Sequence, residues 1–274
     1  MSSTTIRSYT PVRRRANALP AKSTDPGRAQ DKLGLVIPTF RESENLRDLL
    51  NGVRAALGTL AAPYEILVVD DDSRDGTSEI VSSIAREDAR VRLLVRTHER
   101  GLSGAILHGW QHTDASILGV MDADLQHPPE LLPQLMAKIL DGRDVAIGSR
   151  YATGGSRGRW NPIRVLSSAA AIWVTHLLQP RSRRVQDPLS GIFLVRRRCV
   201  ENLAFQATGF KLLLEILVRG RVRSVSEVPF AFARRRAGRS KANLKVAWDY
   251  VALLARLYRM QSGTVRVPEP SGGD

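Results

Sequence analysis

Residues 120–130 have the sequence VMDADLQHPPE, in which two carboxylates, Asp122 and Asp124, follow a short apolar run. That run, residues 115–120, has the length and composition of a strand that is covered on both faces. Two like charges at the end of a buried strand need a partner, because their desolvation is costly. We therefore predict that Asp122, Asp124 and Gln126 hold Mg²⁺ or Mn²⁺, since these cations prefer oxygen ligands.

The competing interpretation of this segment is a simple turn or helix cap, because Asp-x-Asp also occurs in both. Pro128 and Pro129 stop the strand, and Glu130 opens a helix whose dipole favours its charge. The strand, the amide oxygen of Gln126 and the Pro-Pro stop are all consistent with a strand that ends in a cation-binding turn. We therefore favour the cation site.

The composition predicts a partner that carries negative charge. The 274 residues include 41 Lys and Arg against 27 Asp and Glu, a formal net charge of +14. Such a chain suits nucleic acid, an anionic membrane surface or a phosphorylated substrate. The single cysteine, Cys199, excludes an internal disulfide and fits a reducing, cytoplasmic compartment. No segment resembles a signal peptide, and the best candidate for a membrane span, residues 165–178, is too short.

Short apolar runs alternate with amphipathic segments, which predicts an α/β fold with a mostly parallel, Rossmann-like sheet flanked by helices. The predicted strands are residues 32–38, 64–69, 91–95, 115–120, 144–148, 192–195 and 222–232. The predicted helices include residues 43–57, 130–140, 162–178, 210–218 and 243–260. Ligands of such sheets bind beyond the carboxyl ends of the strands. We therefore expect the polar clusters at 39–42, 70–75 and 122–126 to converge at one edge.

The helix at residues 43–57 is predicted to begin with Ser43 as its cap. Its apolar residues recur at spacings of three and four and form one face, made of Leu46, Leu49, Leu50, Val53 and Leu57.

The ends of the chain differ from its middle. We predict a basic, disordered tail at residues 1–31, a main domain at 32–242, an amphipathic helix at 243–260 and a disordered tail at 261–274. The amphipathic helix has a predicted apolar face made of Leu244, Ala247, Trp248, Val251, Leu254, Ala255 and Tyr258. This helix and the one at 162–178 suit either a membrane interface or ordinary packing on the domain.

Several single charged residues are further candidates. Asp70 ends the second predicted strand and can accept hydrogen bonds from a base or ribose. Its alternative role is in a cap network with Ser73, Asp75 and Thr77.

Arginine side chains match phosphate geometry, and the candidates for binding a second anion are Arg150, Arg164 and Arg235. A solvated surface role is the alternative for any one of them. Gly238 makes the loop that carries Arg235 and Lys241 flexible enough to close over a substrate. The five histidines have no metal-ligand spacing, so we predict that they are structural or surface residues.

Taken together, the motifs resemble family 2 glycosyltransferases of the GT-A fold, and within them the dolichyl-phosphate (polyprenyl-phosphate) mannose synthases. The motifs lie in family order across about residues 33–245, so the GT-A catalytic domain would span 32–242. They are IPTFRE at 37–42, VDDDSRDGT at 69–77, DADLQHPPE at 122–130, GSRY at 148–151, DPLSG at 187–191 and RRAGRSK at 235–241. The third motif is highly specific, and the others are weaker individually. The usual Tyr-Asn before the glutamate is here Phe40-Arg41.

The resemblance implies transfer of mannose from GDP-mannose to a polyprenyl phosphate, with inversion. It assigns to the nucleoside Pro38, Phe40, Glu42 and Asp70. It assigns to the donor diphosphate and its Mg²⁺ or Mn²⁺ the residues Asp122, Ala123, Asp124 and Gln126. It assigns to the acceptor phosphate Arg150, Arg164 and Ser168, and to donor phosphates Arg235 and Lys241. The residues with catalytic roles would be Asp122, Asp124 and Arg150.

The chemistry fits these assignments. The acceptor phosphate is already anionic near neutral pH, so no strong general base is needed. Catalysis then depends on positioning two anions against each other, while the metal and arginines offset their repulsion.

Two other functions are compatible with the sequence. The nearer one is a transferase that moves glucose or another sugar from a UDP-sugar to a polyprenyl phosphate. The other is a basic membrane-binding or nucleic-acid-binding module without chemistry. The acidic clusters disfavour a polyanion binder, so we expect no nucleic-acid partner. Many relatives carry C-terminal membrane helices that this sequence lacks. We expect a peripheral protein on the cytoplasmic face of a membrane, with a membrane-embedded partner or with interfacial helices of its own.

Overall fold

The core of the protein is a seven-stranded sheet with helices on both faces. A computed structural model describes residues 17–19, 31–98, 100–158, 162–205, 211–233 and 244–262. The strands are β1 (Asn17–Ala18), β2 (Leu33–Thr39), β3 (Tyr64–Asp70), β4 (Val91–Val95), β5 (Ile117–Met121), β6 (Val145–Ser149), β7 (Ile192–Arg196), β8 (Ala204–Phe205) and β9 (Val225–Pro229). The α-helices are α1 (Ser43–Leu57), α2 (Thr77–Glu87), α3 (Leu102–Gln111), α4 (Leu131–Leu140), α5 (Pro162–Leu178), α6 (Leu212–Arg219) and α7 (Leu244–Ser262), with two short 3₁₀ helices at Pro180–Arg184 and Arg197–Cys199.

The strand order in the sheet is β4-β3-β2-β5-β7-β6-β9. β7 is antiparallel to both of its neighbours, β5 and β6, and every other pairing in this sheet is parallel. This confirms the predicted mostly parallel sheet with flanking helices. The antiparallel insertion of β7 was not predicted. It brings the loop before Ile192 to the same edge as the end of β5, because Met121 pairs with Ile192.

Apolar side chains of the central strands alternate between two cores. Leu33, Leu35 and Ile37 pack with α1, α2 and α4 on one face of the sheet. Val36, on the other face, packs with α3 and α6. The strands are therefore buried on both faces, which explains their nearly continuous apolar runs.

The predicted apolar face of α1 is confirmed, because all five of its leucine and valine side chains are buried. The predicted Ser43 cap is wrong. Ser43 is the first helical residue, Glu42 precedes the helix, and neither side chain caps it. The backbone N–H of Ser43 instead donates to the Asp75 carboxylate, at 3.3 Å. Asp75 comes from the loop after β3 and satisfies a helix-end donor that no neighbouring residue satisfies.

Part of the segment that we predicted to be a disordered tail has regular structure. Asn17–Ala18 pairs antiparallel with Ala204–Phe205, and Leu19 is fully buried in the second core. The N–H of Asn202 donates to the carbonyl oxygen of Leu19, at 3.1 Å. Composition does not reveal this contact, because one leucine in a polar segment has no periodicity.

The predicted apolar face of α7 is described at four of its residues, of which Leu254 is buried and Val251, Ala255 and Tyr258 are exposed. The side chains of Leu244, Ala247 and Trp248 lie outside the described part. Val251 and Tyr258 are more than half exposed, whereas Leu253, Leu254 and Leu257 are buried against α6. The helix has apolar residues around most of its circumference. Spacing alone therefore does not indicate which side packs, and contact with α6 selects it.

Candidate active site

The carboxyl ends of β2, β3 and β5 lie at one edge of the sheet, as predicted from topology. Thr39 and Asp70 are register partners at the ends of β2 and β3. β5, the other neighbour of β2, ends at Met121, so Asp122 follows at the same edge. The three polar clusters expected from the sequence therefore converge.

The acidic pair lies in a tight turn after β5. Asp124 is buried and its Oδ1 accepts the backbone N–H of Gln126, at 3.1 Å, while Asp122 is half-buried. Ala123 is buried between them, and Leu125 has a left-handed φ of 57° that closes the turn. Gly191, just before β7, lies directly against Asp122, because a Cβ at this position would overlap Oδ2 of Asp122.

These residues fit a divalent cation that a substrate helps to hold. The side-chain Nε2 of Gln126 donates to the carbonyl oxygen of Ala233, at 3.3 Å, so its own amide oxygen is available as a ligand. Among the described residues, no cluster of three or more Asp, Glu, His or Cys side chains could hold a metal. Asp122, Asp124 and Gln126 would offer two carboxylates and an amide, a donor set that Mg²⁺ or Mn²⁺ would complete with phosphate oxygens.

His127 lies beneath this turn and is fully buried. Its ring packs on Phe230 and Phe232, with ring centroids 5.4 Å away in both cases. Burial lowers the pKa of His127 to about 4, against a partial rise from Asp124. The imidazole is therefore neutral near pH 7, which agrees with the predicted structural role.

Arg150, at the end of β6, is held by a carboxylate that sequence analysis did not single out. Its Nε and Nη2 donate to the two carboxylate oxygens of Asp187, each at 2.7 Å, and its backbone N–H donates at 3.1 Å. Asp187 is fully buried, and Glu227 accepts the backbone N–H groups of Gln186 and Asp187. The DPLSG motif was the available signal, but it did not indicate which partner Asp187 has.

A pocket of about 360 Å³ adjoins Arg150. Its lining residues are Arg150, Tyr151, Gly155, Ser156, Arg157, Gly158 and Val165. The Tyr151 hydroxyl is 2.8 Å from the Ser168 hydroxyl, so the structure brings Arg150 and Ser168 to the same neighbourhood. Arg235, Lys241 and the side chain of Arg164 lie outside the described residues.

The predicted nucleoside side of the site lies at the ends of β2 and β3. Pro38 is buried within β2, and Phe40 packs against two guanidinium groups, those of Arg41 and Arg100, at 5.3 and 4.9 Å from its ring centroid. The buried Glu42 accepts a hydrogen bond from Asn45, at 3.1 Å.

Asp70 is buried and takes part in a local hydrogen-bond network that includes Ser73, which was the alternative role predicted for it. It accepts hydrogen bonds from Thr39 Oγ1, at 3.1 Å, and from the backbone N–H and hydroxyl of Ser73. A base contact is compatible with this network, because a carboxylate has further acceptor capacity.

Two more charged residues of this edge were missed from the sequence. Asp71 is buried and accepts the Gly101 backbone N–H at 2.7 Å and Arg96 Nη1 at 2.9 Å. Burial raises the pKa of Asp71, while Gly101 and Arg96 oppose that rise. Lys211 precedes α6 and lies within electrostatic range of Asp122, Arg150 and Asp187. Asp71 belongs to a quoted motif, whereas Lys211 has no signal in the sequence.

Comparison with known proteins identifies the family of this chain. The profile of the family described as Glycosyl transferase family 2 matches residues 35–204. A dolichol-phosphate mannosyltransferase from Pyrococcus furiosus is 41% identical over 236 residues, which are 86% of this chain and 66% of that protein. A dolichol-phosphate mannosyltransferase from Mycosarcoma maydis is 38% identical over 243 residues, which are 85% of this chain and 81% of that protein.

A solved structure supports the fold. The crystal structure of glucosyl-3-phosphoglycerate synthase from Mycobacterium tuberculosis in complex with Mn²⁺, UDP-glucose and phosphoglyceric acid is similar, with a TM-score of 0.59 at 17% identity. The match covers 84% of this chain and 80% of that one. The sheet is therefore of the GT-A type. The family match over more than half of the sequence, together with relatives more than a third identical, shows that the chain belongs to glycosyltransferase family 2 and is a glycosyltransferase.

Proposed function

We propose that this glycosyltransferase moves mannose from GDP-mannose to a polyprenyl phosphate of the dolichyl type, with inversion. The observation that carries the proposal is the juxtaposition of the Asp122–Asp124 turn with Arg150 and its pocket at one edge of the sheet. An acidic turn suits a cation-bound diphosphate, and a basic pocket suits a second phosphate. The names of the two curated relatives support mannose and dolichyl phosphate as the sugar and the acceptor.

On the donor side, Asp122, Asp124 and Gln126 would hold Mg²⁺ or Mn²⁺. Such an ion acts as a Lewis acid that neutralises charge on the leaving nucleoside diphosphate. The Mn²⁺ named with the similar mycobacterial enzyme agrees with this choice. Pro38, Phe40, Glu42 and Asp70 would form the nucleoside site. The donor-phosphate contacts would come from Arg235 and Lys241.

On the acceptor side, Arg150 and Ser168 would bind the phosphate, together with Arg164. The guanidinium of Arg150 is already oriented by Asp187, which lowers the entropy lost on binding. The phosphate oxygen is its own nucleophile, so no side chain needs to remove a proton. His127 beside the turn is a poor proton acceptor, because it is buried and burial lowers the pKa of its imidazole to about 4.

We also propose that α5 and α7 contact the membrane that contains the acceptor. Leu166 is 73% exposed and Trp173 is 66% exposed on α5, and Val251 and Tyr258 are more than half exposed on α7. The two helices are joined by a hydrogen bond from the Tyr250 hydroxyl to the carbonyl oxygen of Ala171, at 2.7 Å.

Exposed apolar side chains on two helices in contact, followed after α5 by Arg181, Arg183 and Arg184, suit the cytoplasmic face of an anionic bilayer. No helix in the described parts of the chain is long and apolar enough to cross a membrane. A membrane-embedded partner protein would be an additional means of attachment.

The test is sugar transfer to a polyprenyl phosphate in detergent micelles with Mg²⁺, offering radiolabelled GDP-mannose and UDP-glucose in parallel. Asp124→Ala is the inactive control, and Asp141→Ala, an exposed carboxylate after α4, is the matched control. Transfer from GDP-mannose alone, lost only in Asp124→Ala, supports the proposal. Transfer from UDP-glucose alone overturns the mannose assignment and favours the glucosyl alternative. Absence of transfer from both donors contradicts the proposed reaction for this chain alone.

A further inference from the structure

Lys211 is a half-buried cation near the proposed active site to which the sequence analysis assigned no role. It is half-buried at the start of α6, and its ammonium group carries three donors. In the described part of the chain, its one hydrogen bond is to the carbonyl oxygen of Leu189, at 3.5 Å. That distance is long for a hydrogen bond, so the described residues engage Nζ only weakly.

The charged residues near Lys211 come from both the proposed donor side, with Asp122, and the proposed acceptor side, with Arg150 and Asp187. Burial lowers the pKa of Lys211, and the positive charge of Arg150 lowers it further, while Asp122 and Asp187 raise it. Asp187 is not a dedicated partner, because Arg150 already occupies both of its carboxylate oxygens. The contact with Leu189 places the ammonium group beside the segment 187–191, whose Asp187 pairs with Arg150 and whose Gly191 lies against Asp122.

A cation in this setting costs free energy unless an anion approaches it. Arg150, whose charge acts on Lys211, lines a pocket of about 360 Å³ that has room for such an anion, and a phosphate group carries several acceptor oxygens. The chain places apolar residues at the next three positions, Leu212, Leu213 and Leu214, all of which are buried.

We propose that Lys211 is a phosphate-binding residue of the transfer site, whose ammonium group donates hydrogen bonds to a phosphate oxygen of one of the two substrates. The inference rests on the proposed function and adds a residue that neither the motifs nor the comparisons assign. The phosphate comes either from the prenyl phosphate, beside Arg150, or from the nucleoside diphosphate, beside Asp122. The chemistry at Nζ is the same in both cases.

The first experiment measures binding by calorimetry in EDTA, with farnesyl phosphate and GDP titrated separately into the full chain. Lys211→Met keeps the apolar stem and removes the charge, Lys211→Arg keeps the charge, and Lys138→Met is the control on the exposed side of α4. We expect Lys211→Met to weaken one of the two ligands by about 10- to 100-fold, with partial rescue in Lys211→Arg. The ligand that weakens identifies the phosphate. Unchanged affinity for both ligands overturns the proposal.

A second experiment does not depend on the folding of a variant. The wild-type protein is treated with acetic anhydride, with and without each probe, and acetylation is quantified by mass spectrometry. We expect farnesyl phosphate or GDP to protect Lys211 severalfold while Lys138 stays equally reactive. Equal reactivity of Lys211 with and without both probes overturns the proposal.

The two proposals fail in distinguishable ways. If the wild-type protein transfers no mannose but Lys211 still governs phosphate binding, the proposed reaction is wrong and the phosphate site stands. If mannose transfer is observed and Lys211→Met binds both probes normally, the reaction stands and the role of Lys211 is wrong.

Discussion

Arg150 and Asp187 form a two-point ion pair in which Nε and Nη2 of the arginine donate to the two carboxylate oxygens, each at 2.7 Å. The carboxylate is fully buried, and it also accepts the backbone N–H of Arg150. Three donors from one residue thus hold Asp187, and the plane of the guanidinium is set before any ligand binds. Asp187 is a positioning residue for the proposed acceptor site.

Asp187→Asn should therefore impair both stability and acceptor binding. Leaving the buried guanidinium without its counter-charge should lower the free energy of unfolding by about 3 kcal/mol. In the fraction that remains folded, KM for polyprenyl phosphate should rise more than KM for GDP-mannose. Urea denaturation and steady-state kinetics measure these effects.

The matched control for Asp187→Asn is Asp114→Asn. Asp114 pairs with Lys32 at 2.7 Å, but its side chain is 72% exposed. This control should change stability by less than about 1 kcal/mol, because exposed ion pairs contribute little. Equal effects of the two variants would contradict the positioning role of Asp187.

Gly191→Ala should disturb the acidic turn. The added Cβ would overlap Oδ2 of Asp122, so the carboxylate would have to move. Displacement of a reacting group by about 1 Å can cost about 100-fold in rate, and we expect a loss of that order in mannose transfer. The concentration of Mg²⁺ needed for half-maximal activity should rise as well. Activity and metal dependence close to wild type would show that Asp122 does not hold the ion.

Leu166→Glu should weaken attachment to membranes. Leu166 is an exposed leucine on α5, and burial of such a side chain in the bilayer interface is worth about 1.5–3 kcal/mol, or roughly tenfold or more in binding. Sedimentation with vesicles of phosphatidylglycerol and phosphatidylcholine measures the change. Transfer to long polyprenyl phosphate in vesicles should fall in parallel, while transfer to soluble farnesyl phosphate should not.

Leu140→Glu is the control for this surface, since Leu140 is 50% exposed at the end of α4. It should leave vesicle binding unchanged. A similar loss of binding in both variants would mean that α5 is not a specific docking surface.

Asp88 should contribute to the pH dependence of the free energy of unfolding. Hydrogen bonds from Arg90 lower the pKa of Asp88 below its ordinary value of 3.8 in spite of burial, with a further contribution from Arg54. The unfolded chain therefore binds a proton at Asp88 at higher pH than the folded protein does. The stabilisation is fully present well above pH 3.8 and is lost as the pH falls through 3.8 towards the folded-state pKa.

Asp88→Asn should show a smaller loss of stability than wild type between about pH 5 and pH 2. Urea denaturation at a series of pH values measures the difference, with the exposed Asp141→Asn as the control. Parallel stability curves for wild type and Asp88→Asn would contradict the assigned pairing.

Much of the architecture was predictable because its signals are local. The apolar runs at 33–37 and 64–69 end in polar clusters, and their alternation with amphipathic helices indicated a parallel sheet. The convergence of Thr39, Asp70 and Asp122 then followed from topology alone. The antiparallel strand β7 was not predictable in this way, because its apolar run looks the same in either direction.

Contacts between segments that are distant in the sequence could not be predicted from local periodicity. The N–H of Ser43 is satisfied by Asp75, and the buried Leu19 accepts the backbone N–H of Asn202, which lies far along the chain. The packed side of α7 depended on α6, since apolar residues surround most of that helix. In each case the partner lies outside the segment from which a local pattern can be computed.

The acidic turn at Asp122 and Asp124 was evident from the chain itself, because strand ending, carboxylates and prolines follow one another within a few residues. The ion pairs of the site were not evident from the sequence. Arg150 and Asp187 are 37 positions apart, and Lys211 lies further along the chain. Charge pairing depends on distance and burial, and these quantities exist only once β6, β7 and α6 have packed together.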